Sequence, residues 1–516
     1  MGNIETSNNK RLAKNSMMLY LRMFVNMGIS LYTSRLILNA LGETDFGIYN
    51  VVGGIVVMFT FINGSMNSST SRFLTISLAK GDIQDLKQTF SFTITIHAIL
   101  AFIILLLAET VGLWFLYYKM VIPIERMNIS CILYQLSVIT TMISIMSVPY
   151  NASIISHEKM GAFAYISISD VVFKLLIVFA VIYLPWDKLL VYAILLFTTQ
   201  LVNQSIYIIY CRKHFTEARF TYCWNKKLFK EMCSFAGWNM AGNLAFICYT
   251  QGLNLLINLF FGPSINAARG IAVRVQGIVS NFVSNFQTAI HPQITKSYAT
   301  QNLEYTKTLI YSESKFSFYL LLILSLPIMI EAQTILTWWL INVPESTVIF
   351  LIIMLSTSFV ESMINPLLIT ALATGNIKKL QIITCPILLS ILPISYITLS
   401  LGASAYWVFI INFIILFITL IVRVIMIKPF IQISLQDYLK NILLRCILVG
   451  VLSSIMPLLV HYTIKQTLMI RFILVGVASV FSCCLSIYFL GLNSHEKEYV
   501  ISFIKKIPNK YRSNIH

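Results

Sequence analysis

Charged residues are scarce in this sequence. Asp, Glu, Lys and Arg make up 11% of its 516 residues, whereas about 25% is usual in soluble domains. Hydrophobic residues make up 57%, and apolar runs of about 20 residues, long enough to cross a bilayer, recur along the whole length. This composition excludes an ordinary soluble protein and predicts a protein with many transmembrane helices.

Catalytic and nucleotide-binding motifs are also missing. The sequence has no P-loop, no dinucleotide-binding glycine fingerprint, no H-E-x-x-H motif and no G-x-S-x-G motif. Its seven histidines are scattered and its nine cysteines lack metal-ligand spacing. The predicted outer connectors are too short to fold into a catalytic domain. We therefore expect a protein that is not an enzyme and that binds no cofactor or metal.

Acidic residues are outnumbered by basic ones, 20 to 37, which gives a net charge of +17. Most basic residues lie in short connectors beside apolar spans, where they set membrane topology, so we expect no nucleic acid partner. The connectors on the other side of the membrane carry only a few basic residues: Lys119, Arg126, Lys188 and Lys465. This asymmetry predicts that both termini are cytoplasmic.

The apolar segments predict about fourteen transmembrane helices, at 17–38, 46–70, 90–117, 129–149, 163–184, 189–210, 234–260, 265–290, 312–336, 346–372, 381–401, 404–427, 442–463 and 470–491. The first is longer than a signal-peptide core and no cleavage site follows it, so we expect it to be retained. The predicted protein is all-α. It has a six-helix bundle at 1–211, a cytoplasmic amphipathic linker at 212–231, a second six-helix bundle at 232–428, and an extra helix pair with a cytoplasmic tail at 429–516.

Polar residues follow one face of the first, second, seventh and eighth spans. At about 100° per residue, each set falls within an arc of about 60° to 120°. The stripes include Arg22 and Asn26 in the first span, Arg72 in the second, Asn239, Asn243, Gln251, Asn254 and Asn258 in the seventh, and Arg274, Asn281 and Asn285 in the eighth. Polar groups are costly in a bilayer, so these residues either hydrogen-bond to neighbouring helices or line a cavity.

The arginines differ in their distance from the span ends. Arg22, Arg35 and Arg269 lie close enough to an end for the guanidinium to reach the interface. Arg274 lies deeper in its span, which favours a position in a cavity. Arg423 is close to the inner boundary and is expected to have no special role.

Acidic residues within the spans are candidates for ion coupling. Asp170 and Lys174 are one helical turn apart, which favours a self-neutralising pair. Glu361 lies near the middle of the tenth span, one turn before Pro366, and could titrate or coordinate a cation. Glu331 is expected to reach the outer interface. Because no nucleotide site is present, an ion gradient is the expected energy source, with H⁺ or Na⁺ carried by Glu361 or Asp170.

Three stretches resemble a known family. They are "LGETDFGIYNVVGGI" with "STSRFLTISLAKGD" in the first two spans, "HEKMGAFAYISI" after the fourth, and the segment from Phe235 to Val275. These stretches resemble the Wzx-like O-antigen and capsular polysaccharide flippases of the multidrug/oligosaccharidyl-lipid/polysaccharide (MOP) exporter superfamily. The resemblance extends to the layout of essentially the whole chain.

The resemblance implies a MATE-like fold and a flippase of the bacterial inner membrane that moves undecaprenyl-pyrophosphate-linked oligosaccharide to the periplasmic leaflet. In that family a cationic cavity is lined by the first, second, seventh and eighth helices, which here carry the polar stripes. The implied pyrophosphate ligands are Arg22, Arg35, Arg72, Arg269 and Arg274. The amides of the stripes would line the sugar path. Membrane lipids, a polysaccharide polymerase and glycosyltransferases of lipopolysaccharide synthesis are the implied partners.

Two other functions remain open. A multidrug or cation antiporter of the same superfamily would share the fold, but a cavity containing several arginines is electrostatically unsuited to cations. A membrane-embedded glycan polymerase or ligase would normally need a sizeable outer loop, which this sequence lacks. Leaflet-resolved accumulation of lipid-linked sugar distinguishes these functions from a flippase.

Overall fold

The computed structural model describes residues 61–118, 122–221, 226–339, 343–344, 346–464, 468–493 and 496–497, together with 15, 17–29, 32–33, 36–37, 40–41, 45, 48–49 and 52. These residues are almost entirely helical and include no β-strand. Eleven of the described helices are long and apolar enough to cross a membrane. The prediction of an all-α protein with many membrane-spanning helices is confirmed.

The helices follow the predicted order. The first six are α1 (Met17–Ile29), α2 (Phe61–Lys80), α3 (Ile83–Tyr118), α4 (Ile124–Ser156), α5 (Met160–Tyr183) and α6 (Lys188–His214). They are followed by α7 (Lys226–Ala299), α8 (Leu303–Ile330), α9 (Ala332–Trp339), α10 (Thr347–Thr374), α11 (Ile377–Ser400), α12 (Tyr406–Ile431), α13 (Leu435–Thr463) and α14 (Met469–Gly491).

Side-chain caps fix the start of several helices. The Asp82 carboxylate accepts hydrogen bonds from the backbone N–H groups of Gln84 (2.8 Å) and Asp85 at the start of α3. Asp187 accepts from the Leu190 N–H (3.1 Å) at the start of α6, and Ser434 caps α13 in the same way. Such caps satisfy N–H groups that have no acceptor within the helix.

The helix α7 contains both the seventh and the eighth predicted spans, and it does not run straight. The Arg269 guanidinium donates hydrogen bonds of 3.0 Å to the Asn254 side chain and to the Thr250 carbonyl. In a straight helix, residues 254 and 269 would be about 22 Å apart along the axis. The chain therefore folds back on itself between these residues, and the two predicted spans form two arms.

The residues group into two compact units. Unit 1 comprises Met1–Leu244, Thr288–Asn302 and Leu372–Gln381, and unit 2 comprises Ala245–Gln287, Leu303–Ala371 and Ile382–His516. Two short segments from the second half of the sequence thus belong to the unit that contains the first six helices.

At one end of unit 1, Arg126 pairs with two acidic residues from distant parts of the sequence. Its guanidinium lies 3.0 Å from the buried Asp45 carboxylate and also pairs with Asp187. Burial raises the pKa of Asp45 despite the nearby guanidinium. Burial also acts on Asp187, but hydrogen bonds from the Leu190 N–H and from Arg126 outweigh it and lower the pKa of that carboxyl. The arginine therefore stabilises the helix ends around it.

At the other end of unit 1, the buried Glu217 anchors the connector that follows α6. Its carboxylate accepts hydrogen bonds from His157 (2.5 Å) and Ser153 (3.4 Å), while the His157 ring stacks on Phe215 with the ring centres 4.1 Å apart. Burial alone would raise the pKa of Glu217, but these hydrogen bonds outweigh it and the pKa is lowered.

In unit 2, two buried charges hold α13, α14 and the residues that follow. Glu331 is 1% exposed and accepts hydrogen bonds from Arg471 (2.9 Å) and His461 (2.7 Å). At the far end of α14, the Lys315 ammonium lies 2.8 Å from both oxygens of Glu496. Sequence reasoning expected Glu331 to reach the interface, whereas the structure buries it in an ion pair.

The His157–Glu217 contact predicts a pH-dependent stability. Because its pKa is lowered in the folded chain, Glu217 stabilises the fold above its unfolded-state pKa of about 4.3, and this contribution disappears as the pH falls through the folded-state value. We expect Glu217→Gln to lower the free energy of unfolding by about 1–3 kcal/mol at pH 7 and by less at pH 4.

Thermal unfolding of the purified protein in detergent at several pH values measures this effect. Glu304→Gln changes an exposed acid at the start of α8 and serves as the control. A loss for Glu217→Gln that is equal at pH 4 and pH 7 contradicts the assignment.

Candidate substrate and ion sites

A polar cavity of about 390 Å³ lies among the helices of unit 1. It is lined by α2, α4, α5 and α6, which contribute amides, hydroxyls and one carboxylate: Asn67, Ser144, Ser147, Asn151, Ser167, Asp170, Gln200, Asn203 and Tyr207. The lining is polar, and the carboxylate of Asp170 is the acidic group of the cavity.

Asp170 supplies the carboxylate of this cavity. One of its oxygens accepts a hydrogen bond from the Asn203 amide (2.5 Å), and the other lies 2.7 Å from the Lys174 ammonium. The predicted intrahelical pair with Lys174 is confirmed. The sequence did not indicate the contact with Asn203, which joins α5 to α6.

Arg22 and Asn26 place the polar stripe of α1 against α5. The Arg22 guanidinium lies over the Phe163 ring, 4.5 Å from its centre, and the Asn26 amide donates to the Ser167 hydroxyl (2.9 Å). Phe163 and Ser167 both line the Asp170 cavity. The arginine is thus held by an aromatic face beside a polar space. Arg35, predicted as a ligand in the same span, lies outside the described residues.

Arg72 is held at a helix end and between aromatic rings. Its guanidinium donates a hydrogen bond (3.3 Å) to the carbonyl of Ala373, in the last turn of α10, and lies 4.6 Å from the centre of the Phe235 ring and 4.9 Å from that of Phe73. A cation beside the last carbonyls of a helix is favoured by the helix dipole. Two amides predicted to bind substrate follow Phe235 in the sequence. Asn239 is buried and Asn243 is half-buried, and both belong to unit 1.

Gly375 allows this close approach. Its φ of +77° is left-handed, and a Cβ atom there would overlap an Arg72 guanidinium nitrogen. Both observations require glycine at this position, because other residues are strained at such a φ and would displace the guanidinium.

In unit 2, the structure brings two predicted ligands together, since Arg269 bonds the Asn254 amide oxygen. Gln251 is exposed on the same arm of α7. Asn258 is helical, but it lies outside the residues whose side chains are described.

The second arm of α7 has two polar faces. Gln276 donates to Ser358 (2.8 Å), and the buried Gln287 donates to Ser317 and to the Ser362 carbonyl, which packs this face against neighbouring helices. Arg274 and Asn281 lie about 160° and 140° around the helix from Gln276, and both are exposed. Asn285 shares their face and donates to the Asn281 carbonyl. The face with Gln276 and Gln287 therefore packs against neighbouring helices, while the face with Arg274 and Asn281 is exposed. We call the second one the open face.

Glu361 is half-buried in α10 of unit 2. Glu361 and Arg423 both lie near the buried Tyr249 side chain. Arg423 is only 6% exposed, and its Nε and Nη1 atoms have no acceptor among the described residues. Sequence reasoning took Arg423 as unremarkable, whereas the structure buries it.

The described residues contain no cluster of three metal-ligating His, Cys, Asp or Glu side chains.

Sequence reasoning missed the polar faces of α4 and α6. Ser144, Ser147 and Asn151 on α4, and Gln200, Asn203 and Tyr207 on α6, line the cavity at spacings of three, then four residues. That spacing places each triplet on one helix face. A search of these spans for polar periodicity would have found them.

Several solved structures share the fold of this chain. The crystal structure of a MATE point mutant superimposes with a TM-score of 0.71 at 12% identity, over 82% of this chain and 97% of the other. An outward-facing multidrug resistance MATE family transporter of the MOP superfamily gives 0.70 at 14%, over 82% and 96%. A MOP superfamily transporter from Pyrococcus furiosus gives 0.66 at 14%, over 82% and 97%. The chain has the MATE-like transporter fold.

The family model described as "Polysaccharide biosynthesis protein" matches residues 12–298, more than half of the chain. The chain belongs to this family, and the resemblance to polysaccharide exporters with a MATE-like fold is confirmed. No curated protein matches the sequence.

The seating of Arg72 against Gly375 can be tested by adding a methyl group. Gly375→Ala introduces both left-handed strain and a clash with Arg72. Gly81→Ala introduces similar strain at φ +75° with nothing within 4 Å, and Gly237→Ala adds a methyl group in open space. We expect Gly81→Ala to cost about 1–2 kcal/mol, Gly375→Ala to cost more, and Gly237→Ala to be neutral or stabilising. Thermal unfolding in detergent compares the three, and equal losses at Gly81 and Gly375 would show that Arg72 is not confined there.

Proposed function

We propose that this membrane transporter is a flippase that moves an undecaprenyl-pyrophosphate-linked oligosaccharide from the cytoplasmic to the periplasmic leaflet by alternating access. The open polar face of α7, with Arg274 at its centre, is the observation that carries the proposal. An arginine deep in a membrane span is retained where it meets water or an anionic ligand. Membership of a polysaccharide biosynthesis family supports a glycan as the cargo.

The arginines suit the pyrophosphate of such a substrate. Guanidinium groups stay charged at all physiological pH values and bind phosphate oxygens in a bidentate manner. We assign this role to Arg22, Arg35, Arg72, Arg269 and Arg274, with the amides of α7 along the sugar path. The proposed bundles at 1–211 and 232–428 would move around this path while the polyprenyl tail stays in the lipid.

Ion coupling would supply the energy. An ion gradient provides about 2.3 kcal/mol per charge for each 100 mV. The Asp170 cavity is polar and fits a small cation, and Glu361 is an acid within a membrane helix of unit 2. We propose that H⁺ or Na⁺ binds at one of these carboxylates.

The proposal places the protein in a bacterial inner membrane with both termini in the cytoplasm, where the basic connectors would face the anionic leaflet. The product would be O-antigen or a related surface polysaccharide. A polymerase and glycosyltransferases of the same pathway would be its partners. The protein would act as a carrier and not as an enzyme.

Substitution of Arg274 tests the substrate site. Because a hydrogen bond to a charged group contributes about 1.5–3 kcal/mol, we expect Arg274→Ala to reduce glycan export about 10- to 100-fold at unchanged protein level, and Arg274→Lys to retain part of it. Lipid-linked oligosaccharide is measured in each leaflet of a deletion strain with a membrane-impermeant sugar probe. Arg219→Ala, in an exposed connector, is the matched control.

The same measurement separates the alternatives. Accumulation in the inner leaflet that Arg274→Ala fails to reverse supports the proposal. Accumulation in the outer leaflet points to a polymerase or ligase. Normal leaflet pools with altered drug sensitivity point to an antiporter, and full export by Arg274→Ala contradicts the assigned site.

Substitution of the two acids tests ion coupling. We expect Asp170→Asn or Glu361→Gln to remove the dependence of transport on an imposed H⁺ or Na⁺ gradient in proteoliposomes, because the neutral amide cannot exchange a proton or balance a cation. Glu109→Gln, which changes another acid in a membrane helix, is the control. A wild-type gradient response in both variants contradicts the proposal.

A further inference from the structure

Unit 1 contains a second cavity, of about 620 Å³, which shares no lining residue with the Asp170 cavity. It is formed by α2, by the first turns of α7 and by the junction of α10 and α11. Its charged and aromatic lining residues are Arg72, Lys230, Glu231, Phe73, Phe235, Trp238 and Lys378. We call it the Lys378 cavity.

The charges of the Lys378 cavity favour an anion. Arg72, Lys230 and Lys378 contribute three positive charges, and Glu231 contributes one negative charge. Lys230 and Lys378 are exposed, and the Arg72 Nε is buried with no acceptor among the described residues. The Arg72 guanidinium cannot lose its charge under physiological conditions, so the cavity carries a lasting positive potential.

Backbone geometry adds to this preference. The cavity is also lined by Thr374, Gly375, Asn376 and Ile377, where α10 ends and α11 begins. The first N–H groups of a helix lack acceptors within the helix and carry the positive end of its dipole, which suits phosphate oxygens. Lys378 lies in this first turn, so the helix end and the side-chain charge act at the same place.

An aromatic wall lies beside the cations. The Lys378 ammonium is 5.8 Å from the centre of the Trp238 ring, and Phe235 lies under the Arg72 guanidinium. Indole faces pack against apolar chains and carbon-bound hydrogens while leaving cations accessible. A ligand that joins a phosphate group to an apolar or sugar portion matches both halves of the cavity.

We propose that the Lys378 cavity binds the phosphate-bearing head of a membrane lipid. Either a polyprenyl pyrophosphate or an acidic phospholipid supplies that chemistry. If the bound lipid is a polyprenyl pyrophosphate, this inference rests on the proposed function, in which Arg72 is one of the pyrophosphate ligands. If it is an acidic phospholipid, the site is separate from the transported cargo.

Equilibrium binding to the purified full-length protein tests this site. The probe is radiolabelled geranylgeranyl pyrophosphate, and phosphatidylglycerol and phosphatidylcholine are the competitors. We expect the double variant Lys230→Gln/Lys378→Gln to weaken probe binding about tenfold, as expected for two partly exposed charge contacts. Glu231→Gln should tighten it about two- to fivefold because it removes a repulsive charge. Lys226→Gln/Lys379→Gln changes two exposed lysines that do not line the cavity and should have no effect.

The competitors identify the source of the phosphate. Displacement of the probe by phosphatidylglycerol and not by phosphatidylcholine supports an acidic phospholipid site. Resistance to both lipids supports a pyrophosphate-specific site. The proposal is overturned if the control variant weakens binding as much as the cavity variant, if phosphatidylcholine competes as well as phosphatidylglycerol, or if neither anionic lipid binds. A failure of glycan export with intact lipid binding would instead count against the flippase function.

Discussion

The cost of removing charge from water governs how this chain is organised. A membrane-spanning protein meets that cost by pairing a polar group, by covering it with an aromatic face or by exposing it to water. The described arginines use different solutions. Arg269 bonds an amide and a carbonyl of the opposite arm of α7, Arg22 lies on Phe163, and Arg72 combines a helix-end carbonyl with two rings. Arg274 is exposed and so needs water or a ligand. This difference supports Arg274 as the most available ligand of the proposed site, because arginines with internal partners are partly committed to the fold.

The same reasoning separates structural amides from candidate binding amides. Polar stripes on membrane helices have two explanations, and the two faces of α7 show both in one element. Gln276 and Gln287 donate hydrogen bonds to hydroxyls and carbonyls of neighbouring helices. Such bonds help membrane helices to associate, because the hydrophobic effect does not drive association within lipid. Asn281, on the open face, is exposed. Packing therefore buries some polar residues of the helix and leaves others exposed. Only the exposed residues are available to a substrate without a rearrangement.

Sequence reasoning predicted the helical class and the order of the spans from hydropathy, and the family from three short stretches, because these are local properties of the sequence. The pair formed by Asp170 and Lys174 was also within its reach, since both residues lie on one turn. Contacts between distant segments were not: the Arg471 partner of Glu331 is 140 residues away, and no local pattern indicates it. Arg423 was misjudged for the same reason, because its burial depends on how α12 packs and not on its distance from the end of the span.

Two segments from the second half of the sequence belong to unit 1, and polar contacts help to hold them there. Gln293 donates a hydrogen bond of 3.1 Å to the buried Glu158 carboxylate, and the Glu158 carbonyl accepts from Asn15. Glu158 itself adopts a left-handed φ of +56°, a conformation that costs a residue with a side chain about 1–2 kcal/mol. The strain of Glu158 thus offsets part of what these hydrogen bonds contribute, since a bond to a charged carboxylate adds about 1.5–3 kcal/mol and a neutral bond about 0.5–1.5 kcal/mol. The bond from Gln293 helps to hold the segment at 288–302 within unit 1. Alternating access, as proposed for this protein, would exchange contacts between helices, and the strain at Glu158 would lower the cost of exchanging the contacts that it makes.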